Sequence, residues 1–115
     1  MLQVENLNRG TVLVSAGWVA DTMISRMVGL LRHRTLEAGE GLWIKPCNSI
    51  HSLGMKFRFD AIFLNAHGRV LFCIEDMAPM RLSRLVWGAV SVLEVPTGTI
   101  ARTQTRIGDD LTLRV

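Results

Sequence analysis

Cysteine is scarce in this chain: Cys47 and Cys73 are the two it has. Two thiols do not make a disulfide framework, so the fold has to rest on a hydrophobic core. The paired Cys-x-x-Cys spacings that mark structural zinc are missing too. No apolar run reaches the ~18 residues a membrane span requires. The first residues, MLQVENLNRG, lack the basic-then-apolar pattern of an export signal. There is no internal repeat, low-complexity tract or linker. There is also no P-loop, dinucleotide fingerprint, His-Glu-x-x-His, or kinase or hydrolase signature. These absences predict a cytoplasmic protein with reduced thiols, no membrane partner, no metal and no cofactor. They lower the expectation of an enzyme without removing it.

What is present fits one domain, residues 1–115. The apolar fraction of 49% against 20% charged is ordinary for a globular chain. A domain of this length buries roughly 65% of its unfolded surface, enough for a core without staples. The net charge of +3 is mild, and only Lys45 and Lys56 among the 13 cations are lysine. Arginine favours planar contacts to carboxylate or phosphate, but a genome-wide codon bias gives the same skew and carries more weight. The cations are dispersed, apart from Arg32-His33-Arg34, and the aromatics sit inside apolar strand patterns. Nucleic acid is therefore not an expected partner.

Strand-like segments dominate. They are LQVENL, TVLVSAGWVA, GLWIKP stopped by Pro46, FRFDAIFLN, RVLFCIED, VWGAVSVLEVP closed by Pro96, and LTLRV. After the N-cap pair Asp21-Thr22, the apolar residues Met23, Ile24, Met27, Leu30 and Leu31 recur at helical spacing. TGTIARTQ predicts one short helical turn capped by Thr97 or Thr99. The fold expected is mostly β (α+β): a small β-barrel-like domain with one amphipathic helix.

Ala66-His67-Gly68 marks a hairpin. Pairing Leu64 with Arg69 sets Phe59 opposite Ile74, Ala61 opposite Phe72 and Phe63 opposite Val70. On the other face Asp60 meets Cys73, and Arg58 meets Glu75 as a cross-strand ion pair. Asp60 then shares its face with Ile62 and Leu64. That placement predicts partial burial, with a cation or a backbone N–H as its partner.

The densest chemistry lies in CNSIHSLGMKFRFD, residues 47–60. Cys47 and His51 with His67 or Cys73 lack zinc spacing, and the hairpin points His67 away from Cys73. Copper(I) through Cys47, His51 and Met55 is weaker still. A Cys47–His51 pair oriented by Asp60 has the right types for a nucleophile, but a small buried thiol is the better expectation. Asp60 and Glu94, if they converge, could work as acid and base; pairing of each with an arginine such as Arg81 is the plainer reading. Asn48, Ser49, His51, Ser52, Asp60 and Arg81, with Met55 as an apolar wall, would make a polar mouth on an apolar barrel, and Glu94 completes the expected ligand-binding set.

The order GLWIKPCNSIHSLGMKFRFDAIFLNAHGRVL, MAPMR, VLEVPTGT and IGDDL, with SRMVGLLRHRTL upstream, resembles the bacterial and archaeal domain of unknown function 192 over roughly residues 21–111. The resemblance implies a single small β-rich domain without an established activity. Many members carry an export signal or lipid anchor, for which this sequence shows no pattern. The family often has Pro-Trp-Arg where this chain has Pro79-Met80-Arg81, which puts an aromatic wall there in doubt. The resemblance marks Cys47, His51, Met55, Asp60, Arg81 and Glu94 by location, not by role. The expected function is a non-enzymatic binding or accessory module for a small anionic ligand or a protein partner. The alternatives are a hydrolase or transferase using His51 with Asp60 or Cys47, and a structural or protein-interaction domain. Fast alkylation of Cys47 near neutral pH would mark the enzyme.

Overall fold

The alternating segments become strands because every second side chain can be buried against a common layer. The computed structural model describes residues 1–21, 35–52 and 55–115. Its elements are β1 (Leu2–Asn6), β2 (Thr11–Ala20), β3 (Leu42–Ile44), β4 (Phe59–Leu64), β5 (Val70–Met77), β6 (Ser91–Pro96), α1 (Thr99–Thr103) and β7 (Leu111–Arg114). The helix expected over Met23 to Leu31 lies outside the described residues.

The strands form one sheet in the order β5-β4-β6-β3-β2-β1-β7. Neighbours are antiparallel except β2 and β3, which run parallel with Trp18 beside Leu42. The sheet curls until its two outer strands approach each other. The Val70 N–H donates to the Asp109 carbonyl at 2.8 Å, and the Leu111 N–H to the Gly68 carbonyl at 2.9 Å. Gly68 has φ 83, and a Cβ there would lie 2.5 Å from the Leu111 carbonyl oxygen, so only glycine fits this seam. The result is a mostly β half-barrel whose one described helix is short, in agreement with the strand pattern.

β4 and β6 are buried on both faces. Ile62, Leu64, Leu93 and Val95 join Leu2, Val4, Leu13 and Val14 in the concave core. Phe59, Ala61, Phe63 and Val92 join Ile50, Met77, Val86 and Ala89 in a second core on the convex face. Continuous apolar runs such as AIFL reflect this two-sided burial.

The hairpin register differs from the expectation. Leu64 pairs with Val70, Phe63 with Phe72, Ala61 with Ile74 and Phe59 with Met77, with a register shift near each end. Through the middle the shift from the expected pairing is two residues, which keeps Phe72, Cys73 and Ile74 on their expected faces, whereas Val70, expected opposite Phe63, joins Leu64 in the concave core. Two local causes account for it. The Asn65 side-chain oxygen accepts from the His67 and Arg69 N–H groups, both at 2.9 Å, and rebuilds the turn. At the other end Asp76 adopts φ 55 and donates its N–H to Asp60. Ile62, not Asp60, therefore faces Cys73, and Arg58 pairs with Asp76 at 3.1 Å instead of Glu75.

Helix α1 is capped by neither threonine. Gly98 at φ 91 occupies the N-cap. Thr97 donates its hydroxyl to the Asp76 carboxylate at 2.7 Å, and Thr99 to the Pro96 carbonyl at 2.7 Å.

Asp109 ties the start of the chain to its end. Its carboxylate accepts from the Asn6 amide at 3.0 Å, the Arg9 guanidinium at 3.0 and 3.2 Å, and the Arg106 N–H at 3.0 Å. Burial alone would raise its pKa, but the Arg9, Asn6 and Arg106 contacts prevail and hold it below the usual range. Its stabilisation is complete above the unfolded aspartate value and is lost as pH falls through the lowered folded value. Asp109→Ala is expected to cost about 3 kcal/mol, measured by urea unfolding at neutral pH, because it strands buried donors.

Candidate functional site

Residues 47–52 and 78–86 are irregular loops stitched to each other. The Ser52 N–H donates to the Arg81 carbonyl at 2.9 Å, the Ser83 N–H to the Ile50 carbonyl at 2.8 Å, and the Val86 N–H to the Asn48 carbonyl at 2.9 Å. The buried Ser52 hydroxyl donates to the Ala78 carbonyl at 2.7 Å and accepts from the Arg81 N–H at 2.8 Å. His51 bridges Leu82 across the two loops. The structure thus brings Asn48, His51 and Arg81 onto one platform, all with exposed side chains, while Met55 is half-buried against the convex core.

Asp60 and Glu94 do not join that platform, nor do they converge. Asp60 lies beside Val95 in the ladder and turns to the concave face. Glu94 lies beside Ala61 and turns to the convex one. An acid–base pair from these two is excluded by the pleat. Asp60 is completely buried, and its oxygens accept from the Asp76 N–H at 2.8 Å and the Ile100 N–H at 2.9 Å. Of the two partners the sequence allowed, it takes backbone N–H groups in place of Arg81. Glu94 is also buried, and burial pushes its carboxyl up to about 7.

The Cys47 thiol donates to the Ser49 carbonyl at 3.0 Å within its own turn. Burial, with the Glu75 charge second, pushes the Cys73 thiol up to about 12, which leaves it inert at neutral pH. Among the described residues no three histidine, cysteine or acidic side chains group as metal ligands.

Two grooves open beside the sheet. The smaller, about 520 Å³, is walled by Leu13, Gly39, Thr97, Thr99 and Arg102 among others. Its polar groups have protein partners: Arg102 reaches the Val12 carbonyl, and the two threonines are engaged as above.

The larger groove, about 760 Å³, lies between β3, the β4–β5 turn, the start of β6 and β7. Leu64, Val90, Leu111 and Leu113 give it apolar walls, and Lys45, His67, Asp21 and Ser91 line it as well. Trp43 is the exception to polar satisfaction. Its indole Nε1–H is buried, and it is the one buried side-chain polar atom among the described residues that has no hydrogen-bond partner. A buried indole N–H ordinarily finds an acceptor, and leaving it unpaired costs about 1–3 kcal/mol. The Lys45 ammonium lies over the same ring, 4.0 Å from its centroid. One side chain therefore offers a donor at its edge and holds a cation over its face.

These residues were not singled out by sequence. Trp43-x-Lys45 in a strand ended by Pro46 places both side chains on one face, and that was the available signal. Trp43 reads as core because its strand is apolar. That the β4–β5 turn and β7 lie alongside it follows from topology alone.

The whole arrangement has relatives. The profile of the family DUF192, described as "Uncharacterized ACR", matches residues 5–113. A crystal structure of a protein of unknown function from Novosphingobium aromaticivorans superposes with a TM-score of 0.80 at 20% identity, covering 96% of this chain and 82% of that one. A Sinorhizobium meliloti protein, named as a candidate transcription regulator, superposes with a TM-score of 0.77 at 20% identity, covering 97% and 91%. At that identity the likeness is one of fold. No match was found among curated proteins.

Proposed function

We propose, from the premise that the chain belongs to the DUF192 family, that it is a non-enzymatic binding module for a small organic anion. The ligand would sit in the groove of Trp43 and Lys45. The unpaired Trp43 Nε1–H is the observation that carries this reading. A carboxylate oxygen would satisfy that donor, the Lys45 ammonium would neutralise the charge, and an apolar tail would lie along Leu64, Leu111 and Leu113. A groove of about 760 Å³ suits a ligand of ten or more heavy atoms, in the ordinary size range of small-molecule sites.

The Asn48, His51 and Arg81 platform becomes, on this reading, a neighbour of the ligand site. The β3 chain leads from Trp43 through Lys45 and Pro46 into it, and the Cys47 N–H donates to the Val90 carbonyl at the groove's edge. Two cysteines that do not make a disulfide framework suit a reducing, cytoplasmic setting.

Titration with 2-naphthoate and decanoate, followed by the Trp43 indole N–H resonance, tests the proposal. The resonance is expected to shift saturably. Trp43→Phe should weaken binding about tenfold while stability holds or rises, since the substitution removes a buried unpaired donor. Lys45→Gln should weaken binding by a similar factor and abolish its salt dependence. Unmoved indole signals with both acids would end the proposal.

A further inference from the structure

The two stitched loops have a property that the groove does not use. From residue 41 to 59, and again from 77 to 93, the sequence contains no aspartate or glutamate. The same segments carry Lys45, Lys56, Arg58, Arg81 and Arg84, and the exposed His51. Arg58 is partnered by Asp76, and the Arg84 guanidinium lies over the Phe72 ring at 5.3 Å. Thirteen cations against ten acids across the chain give little net field. Arg81 and Arg84, with no carboxylate in either loop, nevertheless give a local positive surface.

Among the described residues, the second of these loops also carries the densest run of exposed large apolar side chains. Met80 is 66% exposed, Leu82 74%, Leu85 51% and Trp87 86%. Isolated exposed apolar residues are unremarkable, but four large ones within eight residues form a patch of the kind that marks an interaction surface. Their backbone is not loose. Met80 donates its N–H to the Ser52 carbonyl, and Arg81, Ser83 and Val86 are fixed to the facing loop by the bonds described above. The fold presents these side chains to water at a fixed position.

We infer that the loop Met80–Trp87 docks the protein on an anionic membrane surface. Its order is Met, Arg, Leu, Ser, Arg, Leu, Val, Trp, so cations alternate with apolar groups at close intervals. Protein interfaces also enrich Arg, Met and Trp, so the choice of occupant rests on the one-signed charge, with no carboxylate in either loop. A lipid headgroup layer accepts the mixture: guanidinium groups remain at phosphate level while Leu82, Leu85 and Trp87 enter the region beneath. Tryptophan in particular is enriched at that depth. The absence of any carboxylate in either loop removes the repulsion that an anionic surface would otherwise exert. No helix among the described residues is long and apolar enough to cross a bilayer, so contact would be peripheral.

Co-sedimentation of the full chain with phosphatidylcholine vesicles, with and without phosphatidylglycerol, is the test. Binding is expected only with the anionic lipid and should weaken as salt rises. Arg81→Gln and Arg84→Gln should each lower partitioning about fivefold, and together roughly thirtyfold. Leu82→Ser with Trp87→Ser should abolish retention without changing the unfolding midpoint, because both side chains are already in water. Trp87 emission should move to shorter wavelength on binding, a change absent from Trp87→Phe. Equal binding to neutral vesicles would overturn the inference. So would capture by duplex DNA in preference to vesicles, or self-association through the same four residues. None of these variants touches the Trp43 groove, so failure here leaves the ligand proposal standing.

Discussion

Asp60→Ala is expected to lower stability by about 4 kcal/mol. Both carboxylate oxygens accept from backbone N–H groups, one from Asp76 in β5 and one from Ile100 in the first turn of α1. The residue is completely buried, so water cannot take over either bond. Each stranded donor costs about 1–3 kcal/mol, and hydrogen bonds to an ionised acceptor lie at the upper end. Asp60→Asn keeps one acceptor oxygen but sets an NH2 group against the second donor, so about 2 kcal/mol is expected. In a chain of this size 1 kcal/mol moves the thermal midpoint by about 4 °C, so the alanine variant should melt roughly 15 °C lower. Thermal and urea unfolding of the three proteins at neutral pH measure this. A loss below 1 kcal/mol for alanine would show that the two N–H groups find other acceptors.

Glu94→Gln is expected to do the reverse. Burial raises this carboxyl from the ordinary value of 4.5 to about 7. Between those two values the unfolded chain has released the proton and the folded chain still holds it. Stability therefore falls as pH rises through that window, by about 3 kcal/mol in all, and is level again above it. Glutamine is close in shape and carries no charge to desolvate. The variant should match the parent near pH 4 and exceed it by about 3 kcal/mol at pH 8. Its stability should lack the parent's decline between pH 4.5 and 7. Urea unfolding across that range decides it, and parallel curves for both proteins would show that Glu94 does not titrate as its burial dictates.

The two acids are thus alike in sequence context and opposite in consequence. Both lie in apolar strand runs, and that much is legible: alternation put Asp60 with Ile62 and Leu64, where it is. What decides its role is which backbone donors arrive beside it, and those come from residues 16 and 40 positions further on. The strands themselves could be read because burial on one or both faces leaves a periodic or continuous apolar signature. Register could be read only as to face. The irregularities near Asp60 and Asn65 arise from side chains bonding to backbone, and no hydrophobic pattern records that. Among the site residues, Asn48, His51 and Arg81 are brought together because the two loops that carry them pair. Trp43 was missed because its unpaired N–H exists only once the groove has formed around it.

The strand order has a consequence for how the chain comes to be folded. β1 is held between β2 and β7, with Gln3 beside Arg114 and Asn6 beside Leu111. One edge of the first strand is therefore completed by a strand that is synthesised long after it. During translation the β1–β2 hairpin has an open edge until β7 has been made, and the seam between Gly68 and Leu111 is open with it. Contacts of such sequence separation are slow to form, and an unpaired edge invites association with other chains. This sheet cannot be completed before β7 has been made, and a chain lacking β7 would be left with its first strand still looking for a partner.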